Sequence, residues 1–239
     1  MLIDQAITAT FRSASGTLLR QHSLNSFALY PPDELLPVRA PAAYKGQSHL
    51  PGLFWMSTLD RLVSYESRLE MMVLKQVDFD PSVSAVLPQP LILHFLADGK
   101  EYHHIPDYLV WRVGSAPELI NVKPHKYVQK ERNQRAFAAC RVACSQVGWE
   151  YSTQTEPSPV VLANLNWLAG FRRPPPDLPR YGPVLIDSAA HPIRIGEILR
   201  DVGVPALVRP VLFHLLWTRQ LGFDLGEVLS ESSVVARDL

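Results

Sequence analysis

Proline constrains this chain more than any other residue type. There are 21 prolines in 239 residues, and three runs of them stand apart: Pro31 to Pro41, Glu156 to Pro159, and Arg172 to Pro179. Proline lacks the amide hydrogen that a helix interior needs, so such runs interrupt helices and mark connections. They divide the sequence into an irregular N-terminal lead-in over 1–55, a compact core over 56–156 and a smaller helical domain over 157–239.

Composition narrows the class. Apolar residues make up 47% and charged residues 19%, which fits a folded globular chain and excludes a disordered one. No apolar run reaches the roughly 18 residues of a membrane span. Positive and negative side chains number 23 each, which excludes a strongly basic tail but not a local basic patch. The opening stretch lacks the layout of a secretory signal. The two cysteines, Cys140 and Cys144, cannot build a disulfide framework. The chain therefore reads as intracellular, with the cysteines as small core residues of a helix.

Within the core, Met56 to Gln76 carries apolar residues at mostly helical spacing. Short apolar runs at Val83–Leu87 and Leu91–Leu96 read as strands. Asp98-Gly99 is a hairpin turn, and Tyr102–Val113 reads as the next strand. Glu118–Val122 forms another, Gln129–Gln146 a helix closed by Gly148, and Trp149–Thr153 a last strand. Helix, strands, helix and strand argue for an α/β domain.

Three pieces of this core carry chemistry: Tyr65-Glu-Ser-Arg-Leu-Glu70, Ile105-Pro-Asp107 and Ile120-Asn-Val-Lys123. A hairpin can set Asp107 beside Lys123 at one sheet end. Asn121 and Lys123, two apart, share a face of their strand. Carboxylates bind hard Mg²⁺ through oxygen. A neighbouring ammonium can orient water and offset charge on a phosphate. Each piece also has a plainer reading: a solvated helix face for Glu66 and Glu70, a turn for Asp107, a surface lysine for Lys123. His94, His103, His104 and His125 read as structural or phosphate-facing rather than as a metal cluster, because adjacent strand residues face opposite ways.

The longer string is more specific. Ser67-Arg-Leu-Glu70, Asp78-Phe-Asp-Pro-Ser-Val83, Pro88-Gln-Pro90, His104-Ile-Pro-Asp-Tyr-Leu-Val110 and Asn121-Val-Lys-Pro124 together resemble the TnsA family, endonuclease subunits of heteromeric transposases. The resemblance covers roughly 60–155. It implies an α/β, restriction-endonuclease-like mixed-sheet core flanked by helices. It also implies a divalent metal, Mg²⁺ with Mn²⁺ as substitute, held by Glu70, Asp107, Asn121 and the Val122 carbonyl. Lys123 would assist the water, with Glu66 and Gln89 as supporting groups. Asn121 departs from the acidic form of the motif and binds metal less strongly than a carboxylate would.

The same resemblance implies cleavage of the 5′ strand at transposon ends, an integrase-like transposase partner and an ATPase regulator. It places the protein in the bacterial cytoplasm, on nucleoid DNA when engaged. Two rivals stay open: a nuclease-fold assembly factor with a weak or inactive site, and a stand-alone restriction or repair nuclease. Lys126, Lys130, Arg132 and Arg135 form a basic strip suited to duplex DNA. The last domain reads as two amphipathic helices and a wing, a winged-helix-like module. Its Arg209, His214, Arg219 and Arg237 would face DNA, or the module would dock a partner protein, which is the favoured reading.

Overall fold

The computed structural model describes residues 3–4, 6–39 and 50–237. They divide into two units. The first comprises Met1–Val73 and Ser82–Glu156, the second Leu74–Pro81 and Pro157–Leu239. Among the described residues no helix is long and apolar enough to cross a membrane.

The lead-in is not irregular. It supplies β1 (Thr8–Ser13), β2 (Leu18–Ser23), α1 (Leu24–Ala28), β3 (Leu35–Leu36) and β4 (Gly52–Met56). After it come β5 (Arg61–Tyr65), α2 (Arg68–Asp78), β6 (Val83–Pro88), β7 (Leu91–Ala97), β8 (Lys100–His104), β9 (Tyr108–Arg112), β10 (Glu118–Val122), α3 (His125–Val128), α4 (Glu131–Val147) and β11 (Glu150–Gln154). The protein is mixed α/β, as expected.

Two larger sheets and the β4–β5 hairpin build the first unit. One runs β2-β1-β7-β8, with β3 on β1, and is antiparallel throughout. The other runs β11-β10-β9-β6 and is mixed, because β10 and β11 are parallel while the remaining pairs are antiparallel. One core serves both. It joins Phe11, Leu91 and Leu93 to Leu87, Leu109 and Leu119, and to Ala139, Cys140 and Ala143 of α4. Gly148 closes α4 with a left-handed φ of 70°, as its position after the last periodic residue predicts.

Two boundaries differ from the sequence reading. The helix expected from Met56 begins only at Arg68, because Asp60 turns the chain with φ 48° and Arg61–Tyr65 pairs with β4 as a hairpin. The strand expected over Tyr102–Val113 is broken at Ile105-Pro-Asp, and its halves, β8 and β9, belong to different sheets. The expected Asp98-Gly99 hairpin turn is present, with φ of 48° and 76°.

The second unit contains α5 (Pro159–Leu168), α6 (Leu178–Ser188), β12 (Ile193–Arg194), α7 (Ile195–Val202), α8 (Pro205–Trp217) and β13 (Val234–Val235). β12 pairs with β13, and Gly222 bridges Ala236. The helix α8 is apolar on nearly every side and lies at the centre of a core with Leu165, Leu185, Ile198 and Phe79. The proline run before α6 delays that helix but does not abolish it. Pro179 occupies its first turn, where an amide hydrogen would have no partner.

Candidate active site

Glu70 stands in the first turn of α2, and a local rule places it there. Ser67-x-x-Glu70 is the pattern of a capping box. Ser67 Oγ accepts from the Glu70 backbone N–H at 3.2 Å and donates to Glu70 Oε1 at 2.8 Å. Glu70 Oε2 accepts from the Glu66 backbone N–H at 2.7 Å. Glu66 itself precedes the helix, so the two acids do not share a helix face. Its carboxylate pairs with Arg39 at 2.5 Å.

Asp107 follows Pro106 at the head of β9 and is held by β10. Its backbone N–H donates to the Ile120 carbonyl at 3.0 Å, and its Oδ2 accepts from the Val122 N–H at 2.6 Å. Its own carbonyl accepts from the Gln89 N–H at 2.8 Å. Gln89 is buried and adopts a left-handed φ of 43°.

Electrostatics tie these groups together. The Asp107 carboxyl is raised to about 7, first by loss of hydration and then by the Glu70 charge, against the opposing pull of the Val122 N–H and Lys123. Glu70 is raised as well, first by burial, and it also feels Glu66 and Lys123. The buried Tyr108 hydroxyl, which donates to the Ser64 carbonyl at 3.2 Å, is raised well above its usual range, by burial first and then by Glu70 and Asp107. Glu70, Asp107 and Lys123 therefore lie within electrostatic reach of one another.

Asn121 is placed differently. It is fully buried on the face that packs against α4. Its amide nitrogen donates to the Tyr151 hydroxyl at 3.0 Å and to Cys140 Sγ at 3.3 Å. Its oxygen faces His104 Nε2 at 2.7 Å. Sequence reasoning gave His104 only a structural or phosphate-facing role, with no partner. The structure puts it within electrostatic reach of Lys123, and burial, followed by that lysine's charge, lowers its pKa. The signal that could have found it is its place three residues before Asp107. His103 lies elsewhere, in cross-strand register with His94, whose Nε2 contacts Thr10 Oγ1 at 2.9 Å. Burial pushes the Cys140 thiol up and the Cys144 thiol up to about 12, which suits inert core residues.

The basic strip divides. Lys126, Lys130 and Arg132 are exposed, and both lysines lie over the Tyr127 ring, at 4.9 and 4.4 Å. Arg135 does not belong with them. It is only 18% exposed, pairs with Glu131 at 2.6 Å and stacks on Tyr102 at 4.2 Å.

Residues 80–156 match the family model described as TnsA-like endonuclease N terminal. Over that stretch the chain is similar to TnsA-like endonucleases. The matched stretch contains Asp107, Asn121 and Lys123, while Glu70 comes from α2, outside it. No curated protein matches the chain.

The donor set suits a hard cation. Two carboxylates of raised pKa beside one another are relieved by positive charge, and Lys123 supplies only one unit of it. Among the described residues no three of His, Cys, Asp and Glu form a ready ligand cluster. A metal here would rest on Glu70, Asp107, a backbone carbonyl such as that of Val122, and water.

Proposed function

We propose that this protein is the metal-dependent DNA endonuclease subunit of a heteromeric transposase, cutting the 5′ strand at transposon ends. The supporting observation is the convergence of Glu70, Asp107 and Lys123 at the end of the mixed sheet of a TnsA-like domain. Glu70 and Asp107 would hold Mg²⁺ or Mn²⁺ with the Val122 carbonyl. The ion's contribution is to acidify water and to offset phosphate charge. Lys123 orients the attacking water and neutralises charge that builds on the scissile phosphate. The Val122 N–H keeps the Asp107 carboxylate in one orientation, which spares the site that cost at the moment of reaction. Lys126, Lys130 and Arg132 follow the backbone of the duplex. End recognition would come from an integrase-like transposase, and an ATPase regulator would complete the assembly.

The second unit supports the protein-contact reading of its role. Each side chain assigned there to DNA is engaged within the fold. Arg209 pairs with Glu231 at 2.6 Å, Arg237 with Asp187 at 3.7 Å, and Arg219 stacks on Phe79 at 5.1 Å. His214 Nδ1 lies 2.8 Å from the Phe171 carbonyl. A winged-helix-like module that docks a protein partner fits this better than one that reads bases.

A second reading, a nuclease fold that assembles but does not cut, is favoured by one observation: the motif's third acidic position holds the uncharged, fully buried Asn121. Nicking of end-containing DNA by the full complex in Mg²⁺ decides between them. Wild type should nick and Asp107→Ala should fall by about 10³-fold, the scale of losing one charge-stabilising group. Equal products from both remove the catalytic reading.

A further inference from the structure

Three consecutive residues of β10 grip the segment His104-Ile-Pro-Asp107. Ile120 takes the Asp107 backbone N–H through its carbonyl, and Val122 gives its N–H to the Asp107 carboxylate. Between them, Asn121 presents its amide oxygen to His104 Nε2. The amide's direction is set from behind. Its two hydrogens go to the Tyr151 hydroxyl on β11 and to Cys140 Sγ on α4. The oxygen is therefore the atom turned toward His104, and Nε2 must carry the hydrogen. Tyr151 is anchored in turn at 2.9 Å from Thr153 Oγ1.

The contact also bridges the two sheets, since His104 ends β8 of the antiparallel sheet and Asn121 belongs to β10 of the mixed one. The chain crosses from one sheet to the other between these points, and Asp107 is presented at the end of that crossing.

We infer that Asn121 is a positioning residue and not a metal donor: with His104 it clamps the crossing segment that presents Asp107. Resting on the nuclease reading above, this gives the departure from the acidic motif a physical reason. An amide can donate to Tyr151 and Cys140 while accepting from His104. An ionised carboxylate at this fully buried position would instead carry a charge out of water. Asn121→Asp, which restores the acidic motif, should therefore damage the site.

The test is Mn²⁺ affinity of the full chain, read by electron paramagnetic resonance without any DNA. Asp107→Ala should abolish the site. Asn121→Ala and His104→Ala should each weaken it by a similar factor of about 10, the scale for a group that orients a ligand. The double variant should be no weaker than either single one, because both remove the same contact. His104→Gln, which keeps a donor near Nε2, should recover most of the affinity, and Asn121→Asp should bind no better than Asn121→Ala. Loss of Mn²⁺ in Asn121→Ala as complete as in Asp107→Ala, with His104→Ala unaffected, overturns the clamp and makes Asn121 a ligand. Should Asn121→Ala fail to fold, the contrast between His104→Ala and His104→Gln carries the decision: equal affinities overturn the clamp. Unchanged binding in Asp107→Ala is a different failure, because it removes the metal site itself.

Discussion

The end of the mixed sheet and the helical core of the second unit treat charge in opposite ways. At the sheet end, Glu70 and Asp107 are brought together against their own repulsion and pushed above their ordinary pKa values. In the second unit, Arg209 and Arg237 meet acidic partners and α8 fills the core with apolar side chains. One region stores electrostatic cost that a bound cation would relieve; the other minimises it. The difference separates a place built for chemistry from one built to hold shape.

The contrast can be broken in four ways. Lys123→Ala should lower strand cleavage by about 10²–10⁴-fold, the range for a positioned proton-transfer group, measured as single-turnover nicking. An unchanged rate would make Lys123 an ordinary surface cation. Trp217→Ala in the second core should cost about 3–5 kcal/mol in chemical denaturation, as for other buried aromatic truncations. A cost below that of a surface change would mean the α8 core is loosely packed.

The third concerns pH. Asp107 has an ordinary value of 3.8 and stands at about 7 in the folded protein. Between those values the folded state keeps a proton that the unfolded state has released. Stability in chelator should therefore fall as pH rises from about 4 to about 7, and be flat above that as far as this group is concerned. Asp107→Asn should remove that slope in urea titrations at several pH values, and Mn²⁺ should offset the loss in the wild type. A slope identical in wild type and Asp107→Asn would show that the acid is not strained. The smallest effect is expected from Arg209→Ala, whose exposed pair with Glu231 should cost less than about 1 kcal/mol and leave DNA affinity unchanged.

The parts of this fold legible in the sequence are those specified by near neighbours. Asp98-Gly99 carries its own turn chemistry and Gly148 its own helix stop, whereas the helix start at Ser67-x-x-Glu70 went unread. Asp107 and Lys123 were readable because they flank a hairpin. What stayed hidden depends on partners far along the chain. β1 shows only Ala9 and Phe11 as buried apolar residues between polar ones, and it becomes a strand by pairing with Leu91–His94 some eighty positions later. The His104–Asn121 contact joins two sheets, and no spacing rule announces it. Prolines misled in the second unit because position within a helix, not presence, decides their effect: Pro205 opens α8 and Pro179 lies in the first turn of α6.

Glu70 closes the start of α2 with the same two oxygens that it would lend to catalysis. A lineage that abandoned DNA cutting would still be selected to retain this acid, because discarding it would fray the helix. Lys123, which donates no side-chain bond to the scaffold among the contacts described above, carries no such second duty. In descendants of this protein the lysine should drift first, and its survival, rather than that of the glutamate, would mark a working blade.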